Sequence, residues 1–240
     1  MRRNGLARKI TSWLTLGVFS LQPSLSFAAD IVADDAAPEA QRPYVTETAS
    51  GVPLVQIARP DGGDVSVNRY EAFSVPERGA ILNNAFLFSN TQLAGYIEGN
   101  PNLGGGPARI IVNEVMSDQP SKLRGFLEVA GTKADVIIAN PNGIYADGAG
   151  FLNASRAILA AGHVLHDPSG GYAGLRIEDG RIDIRGKGLD ARGADSAEVY
   201  ARAVEVNAGL WADHAKIVAG SNEIARDGSL SPVASETGVP

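Results

Sequence analysis

Residues 134–144 read Ala-Asp-Val-Ile-Ile-Ala-Asn-Pro-Asn-Gly-Ile, and the two halves of that stretch ask for different backbones. Asp135–Ala139 is a β-branched and aliphatic run of strand length, apolar at every position after Asp135, as a buried strand is. Asn140, Pro141, Asn142 and Gly143 then stop it. Proline holds φ near about −65°, asparagine closes a turn by bonding its own backbone, and glycine tolerates positive φ. A buried strand that ends on a turn of this kind, and not on a two-residue hairpin loop, fits a chain winding into stacked coils.

The same texture extends in both directions. From Gly51 onward, short runs such as Leu54–Ile57, Arg109–Val112 and Arg181–Ile184 alternate with turns bearing Gly, Asn or Pro. Most windows meet a Gly or Pro before three helical turns accumulate. Ser196–Val206 has the best helical propensity, but Ala203–Ala208 alternates with period two, so it reads as sheet. Gln92-Leu-Ala-Gly-Tyr-Ile-Glu98 recurs thirty residues on as Lys122-Leu-Arg-Gly-Phe-Leu-Glu128, and Asn-Pro-Asn occurs at 100–102 and again at 140–142. Unequal spacings suggest coils of uneven length with loops extruded between them. With coils of about 20 residues, residues 51–225 make roughly eight or nine coils and a rod about 40 Å long. The open end needs protection, and the stretch before residue 70 is the candidate N-terminal cap.

Arg2, Arg3, Arg8 and Lys9, the apolar run Ile10–Leu21 and the small-x-small site Ser26-Phe27-Ala28 make residues 1–28 a Sec-type signal peptide cut after Ala28. Its removal takes away four of 21 Lys and Arg residues and none of 27 acids, moving the formal charge from −6 to −10. A surface so acidic repels phosphate backbones, so no nucleic-acid partner is expected. There is no cysteine, which excludes disulfides, thiol catalysis and thiolate metal sites. No cofactor and no metal is expected.

Asn100-Pro101-Asn102-Leu103, Arg109-Ile-Ile-Val-Asn-Glu114 and Ala134 through Asn140-Pro141-Asn142-Gly143-Ile144 together resemble the two-partner-secretion domain of filamentous haemagglutinins and contact-dependent growth-inhibition exoproteins. Phe151-Leu152-Asn153, Gly188-Leu189-Asp190-Ala191 and Ala201–Trp211 continue the likeness, which covers about residues 55–225. The chain departs from many growth-inhibition relatives in lacking a Cys-x-x-Cys pair between Ile144 and Phe151. The resemblance implies an all-β fold, a right-handed parallel β-helix with an N-terminal cap and extra-helical β-hairpin elements. It implies a secreted adhesin-type export domain, not an enzyme, that nucleates folding outside the cell. The partners it implies are a cognate outer-membrane β-barrel transporter with periplasmic recognition modules, and the Sec machinery and signal peptidase. A host or neighbouring-cell receptor would be met through a missing downstream region. Asn100, Pro101, Asn102, Leu103, Asn140, Pro141, Asn142, Gly143 and Ile144 are then the transporter-recognition or turn residues. The organisation expected is a signal peptide at 1–28, an extended lead-in at 29–54, the β-helix at 55–225, and at 226–240 a disordered tail or the start of the downstream region.

Other features carry less. Gly104-Gly105-Gly106 lacks the Lys-Ser/Thr of a phosphate loop and reads as a flexible loop. His163, His166 and Asp167 could hold a metal on a helix, but Asp167-Pro-Ser-Gly-Gly171 marks a turn. Asp179, Asp183, Asp190 and Asp195 would be the carboxylates of a β-helical carbohydrate-active enzyme or lectin, the alternative reading, yet they lie among turns where Asp is ordinary. Asn153-Ala-Ser155 is a three-residue glycan acceptor pattern of little weight, and Trp211 is expected to pack in the core or at the cap.

Overall fold

The computed structural model describes residues 30–233. The expected signal peptide at 1–28 lies outside that range, as do residue 29 and the last seven residues.

The chain opens with β1 (Ile31–Ala33), a 3-10 turn at Glu39–Gln41 and β2 (Tyr44–Glu47), and then winds through β3 (Pro53–Gln56), β4 (Val65–Phe73) and β5 (Ala80–Asn84). A hairpin of β6 (Ser89–Thr91) and β7 (Gly95–Ile97) leaves the path, which resumes at β8 (Ile110–Val115), β9 (Ser121–Leu123), β10 (Phe126–Gly131), β11 (Ala134–Ala139), β12 (Ile144–Ala146) and β13 (Ala149–Ala160). A second hairpin, β14 (His163–His166) and β15 (Tyr172–Ile177), precedes β16 (Arg181–Ile184), β17 (Leu189–Ala201), β18 (Ala203–Val206), β19 (Leu210–Trp211) and β20 (Ala215–Ala219). β21 (Asn222–Ala225) and β22 (Leu230–Pro232) end the described chain.

Three parallel faces result. One stacks β4, β8, β11, the second half of β13, the second half of β17 and β20; the next stacks β3, β5, β10, the first halves of β13 and β17, and β19; the third stacks β9, β12, β16 and β18, preceded by a bridge from Val75 to Leu123. This is the expected right-handed parallel β-helix, in which successive parallel strands of one face are joined by right-handed crossovers. β13 runs through a corner because Asn153 takes φ +56°, and its Nδ2 donates to Val129 O (2.8 Å) and Gly131 O (3.1 Å) of the coil before. That is the work of Asn153 in the fold.

Each of the first two faces carries six strands, so the described residues make six coils and not eight or nine. Six coils at about 4.8 Å stand about 24 Å deep, not 40 Å. Plain coils are near the expected length, since Ile110 pairs Asp135 and Val136 pairs Ala157. Where a hairpin is extruded the coil doubles, with Val65 paired to Ile110 and Ala157 to Ala197. The thirty-residue repeat is not a coil period. Its first copy lies in the extruded hairpin and its second in β9 and β10.

Three apolar layers explain the unbroken hydrophobic runs. Inward residues such as Ile111, Val136, Ile138, Leu159 and Val199 fill the bore. Outward residues of the same strands, Val112, Ile137, Ile158 and Tyr200, are covered by Val164, Tyr172, Leu175 and Ile224 of the four-stranded sheet β14-β15-β21-β22. Leu54, Ile81 and Ala130 of the next face are covered by Ile97 and Leu93 of the first hairpin. Strands buried on both sides cannot alternate.

The cap is narrower than residues before 70. β1 pairs antiparallel with β4 and β2 with β3, closing the first edges, while β3 and β4 already belong to the first coil. The expected tail from 226 is, as far as residue 233, part of the extra-helical sheet, with β22 paired on β21. Trp211 is half exposed and lies against Gly209 and Gly188 at the end of the stack, which is cap packing and not core.

Candidate functional site

The two Asn-Pro-Asn turns are built alike. Asn100 caps a 3-10 turn at Pro101–Leu103 with proline at its first position, where φ is already set and no N–H is missed. The Asn102 N–H donates to Asn100 Oδ1 (2.9 Å), and Asn100 Nδ2 donates to Ile57 O (3.0 Å) and Asn83 O (2.9 Å). Asn102 Nδ2 adds a bond to Ile57 O at 3.1 Å. Leu103 is fully buried in the bore, and Pro101 faces solvent.

At the second turn, the Asn142 N–H donates to Asn140 Oδ1 (2.9 Å), while Asn140 Nδ2 donates to Gln119 O (2.9 Å) and Ser121 Oγ (3.0 Å). Asn142 Nδ2 reaches Ser117 O at 2.7 Å. Gly143 takes φ +103°, and a Cβ there would sit 2.9 Å from Arg181 O of the next coil. Ile144 is fully buried, Pro141 is half-buried and Asn142 is exposed.

In both turns one asparagine closes the turn with its oxygen and fastens it to chain already passed with its nitrogen. Asn100 and Asn140 are 4% and 0% exposed, so in the folded domain their amides face the protein, not a partner. The structure does not bring the motifs together: the first follows the extruded hairpin and precedes β8, the second joins β11 to β12. A cleft of about 670 Å³ lined by Ile31, Arg42, Tyr44 and Arg78 opens between β1 and β2, and neither motif reaches it.

Several polar residues escaped the sequence reading. Asn68 and Asn113 pair in register on the inner side of β4 and β8, with Asn68 Nδ2 donating to Val112 O (3.2 Å) and Asn113 Nδ2 to Ile137 O (3.1 Å). The Tyr70 hydroxyl donates to Asn113 Oδ1 at 3.0 Å. The shared Val-Asn of Val67-Asn68 and Val112-Asn113 was the available signal. Of the acids weighed as catalytic, Asp183 bonds Arg181, Asp190 bonds Arg192 (2.6 Å) and Asp195 bonds Lys133 (2.5 Å).

His163 is exposed on β14, and His166 points the other way, into a charge cluster. Its Nε2 lies 3.0 Å from Glu114 Oε2, which also accepts from Arg69 Nε at 3.0 Å, and its Nδ1 lies 3.2 Å from Gly170 O. Asp167 Oδ1 accepts from the N–H of Ser169 and of Gly171, making the expected turn. Glu114 and the Gly170 carbonyl favour imidazolium, while Arg69 Nη2, a donor 3.1 Å from the same Nε2, opposes it. The Glu114 bond raises the His166 pKa above its ordinary value, against burial and the Arg69 charge, with a further rise from Gly170. A raised folded pKa gives stability that is full below the unfolded value near 6.5 and lost as pH rises through the folded one. The melting temperature should therefore fall as pH rises above about 6.5. Thermal melts of wild type and His166→Gln check this; equal pH slopes in the two would sink it.

Comparison with known proteins bears on this arrangement. The family model described as TPS secretion domain matches residues 29–238. The toxin CdiA of Yersinia pestis is 49% identical over 201 residues, 84% of this chain and 6% of that protein. The tRNA nuclease CdiA-2 of Burkholderia pseudomallei (strain 1026b) is 41% identical over 231 residues, 92% of this chain and 7% of that protein. The chain thus spans less than a tenth of these relatives. The crystal structure of a filamentous hemagglutinin secretion domain matches with a TM-score of 0.74 at 34% identity, over 86% of this chain and 69% of that one.

Proposed function

Because the chain belongs to the TPS secretion domain family of filamentous haemagglutinin and CdiA-type exoproteins, which are secreted or surface-exposed, we propose that it is the export address read by a cognate outer-membrane β-barrel transporter and the nucleus on which the exoprotein folds outside the cell. Residues 1–28 would take it through the Sec machinery to signal peptidase, and the transporter's periplasmic modules would then capture the chain before its parallel coils are stacked. No catalytic role and no nucleic-acid partner is assigned to it. A receptor on a host or neighbouring cell, and any toxin or nuclease activity of the kind the long relatives are named for, would belong to a downstream region.

The observation that carries the folding part is the direction of the asparagine bonds. Asn100 closes on residues 57 and 83, Asn140 on residues 119 and 121. Every partner of these two amide nitrogens precedes its asparagine in the chain, and the N–H that each oxygen accepts lies only two residues ahead, so each turn can be completed as soon as it emerges from a pore that delivers the N-terminus first. Coils that contact mainly their neighbours can be added one at a time, and each addition opposes back-sliding.

Expression with and without the cognate transporter, followed by blotting of the medium, tests the proposal. Accumulation in the medium should require the transporter, and Asn100→Ala with Asn140→Ala, which removes side-chain bonds from both turns, should cut it at least about tenfold. Protein that leaves without the transporter, or stays periplasmic with it, overturns the proposal in favour of a periplasmic β-helix.

A further inference from the structure

Phe86, Leu87 and Phe88 are 58%, 72% and 71% exposed, and Tyr96 beside them is 78% exposed. Among the described residues no other run of three successive large apolar side chains stands in solvent. They sit at the root and on the outer face of the hairpin β6–β7, where Asn90 pairs Tyr96 and Ser89 pairs Ile97.

The hairpin is not a loose loop. The buried Glu128 carboxylate accepts the N–H of Gln92 at 2.7 Å and of Leu93 at 2.9 Å, gripping the turn. Asn83 Nδ2 donates to Glu98 O at 2.9 Å, and the Gly131 N–H donates to Ser89 Oγ at 3.1 Å. Ile97 and Leu93 bury the inner face. A Cβ on Gly99 would meet Phe86 O at 2.8 Å, so the crossing at the root is as close as backbone allows. The fold therefore holds a small apolar surface outward in a fixed shape. Rigid aromatic side chains of this kind are the usual energetic centres of protein interfaces.

We propose that the projection of Phe86, Leu87, Phe88 and Tyr96 is a docking surface for the transporter, filling an apolar slot on its periplasmic modules. The inference rests on the export reading above and names the surface that reading requires. Three observations choose this occupant. TPS membership itself implies an outer-membrane transporter as partner. The hairpin runs straight into Asn100-Pro101-Asn102-Leu103, so hairpin and motif form one continuous unit from 86 to 103. Its pairing is local, closed by the short turn between Thr91 and Gly95, so it can form before the long-range parallel coils do. The formal charge of −6 opposes approach to anionic lipid headgroups and favours a protein partner over a membrane.

The test is binding of the purified chain to the full-length cognate transporter in nanodiscs, together with secretion in cells. The triple change Phe86→Ser, Leu87→Ser, Phe88→Ser should weaken binding at least about thirtyfold and lower secretion, with an unchanged thermal melt. If the triple variant melts early, Leu87→Asp alone serves, with at least about tenfold weaker binding expected. Met116→Ser, at another exposed apolar residue, should bind as wild type does. Wild-type binding and secretion in a correctly folded 86–88 variant overturn the inference and leave the export reading standing. A wild-type chain that neither binds the transporter nor needs it for secretion defeats the export reading first. Flotation of wild type, but not the 86–88 variant, with phosphatidylethanolamine and phosphatidylglycerol vesicles while transporter binding is equal would also overturn it, by making the apolar patch a lipid anchor.

Discussion

Asn140→Ala lowers the folding stability of the purified domain by about 3 kcal/mol, because it removes three hydrogen bonds made by a wholly buried side chain and leaves the buried Ser121 hydroxyl without that partner. The asparagine side chain is 0% exposed. Its nitrogen satisfies Gln119 O and Ser121 Oγ, and its oxygen satisfies the Asn142 N–H. Each unpartnered buried group costs about 1–3 kcal/mol, and the hydroxyl of Ser121 recovers part by rotating. Urea unfolding should show a lower midpoint with the slope unchanged, since the surface exposed on unfolding is the same. Asn142→Ala offers the contrast: its side chain is exposed and bonds Ser117 O at the surface, so its loss should cost under about 1 kcal/mol. An Asn140→Ala midpoint within experimental scatter of wild type would mean that the turn holds without its side chain. The shared construction of the two motifs would then have no energetic meaning.

The strands and turns of this fold are local events, and they were legible. Asp135–Ala139 and Arg181–Ile184 are strands, and Ala203–Val206, where helix propensity competed, is a strand because its coil neighbours Arg181–Ile184 pair with it in register. The asparagine turns were legible as turns because their chemistry lies within three residues. What stayed hidden depends on partners distant in sequence. Glu128 looked like the last residue of a repeat, while its carboxylate in fact grips the backbone of Gln92 and Leu93, the first residues of the other copy. The coil number was overestimated because apolar hairpin residues such as Val164, Leu175 and Ile97 read like coil strands. They cover the outside of the helix and do not extend it. Asn68 and Asn113 are polar residues on inward positions of apolar strands, and only the register that stacks them explains why they are tolerated.

Gly125→Ala and Gly95→Ala separate coil stacking from local conformation, and the first should be much the more damaging of the two. The two glycines occupy the same position of the thirty-residue sequence likeness, yet they are glycine for different reasons. Gly95 takes φ +69° in the hairpin and a Cβ there would meet nothing within 4 Å, so alanine costs only the left-handed conformation, about 1 kcal/mol. A Cβ on Gly125 would lie 2.1 Å from Pro76 O, 2.8 Å from Gly79 N and 2.9 Å from Glu77 O. All three are backbone atoms of the preceding coil, and no rotamer change can clear them. The corners of two coils must part, which also strains the Val75 to Leu123 bridge beside them. A cost of at least about 3 kcal/mol is expected, in the range of severe overpacking. Paired urea titrations decide it, and equal midpoints for the two variants would show that the coils can slide apart cheaply. The same pair bears on export. If coil-upon-coil folding outside the cell opposes back-sliding, Gly125→Ala should lower the amount secreted well beyond Gly95→Ala, which leaves the stack untouched.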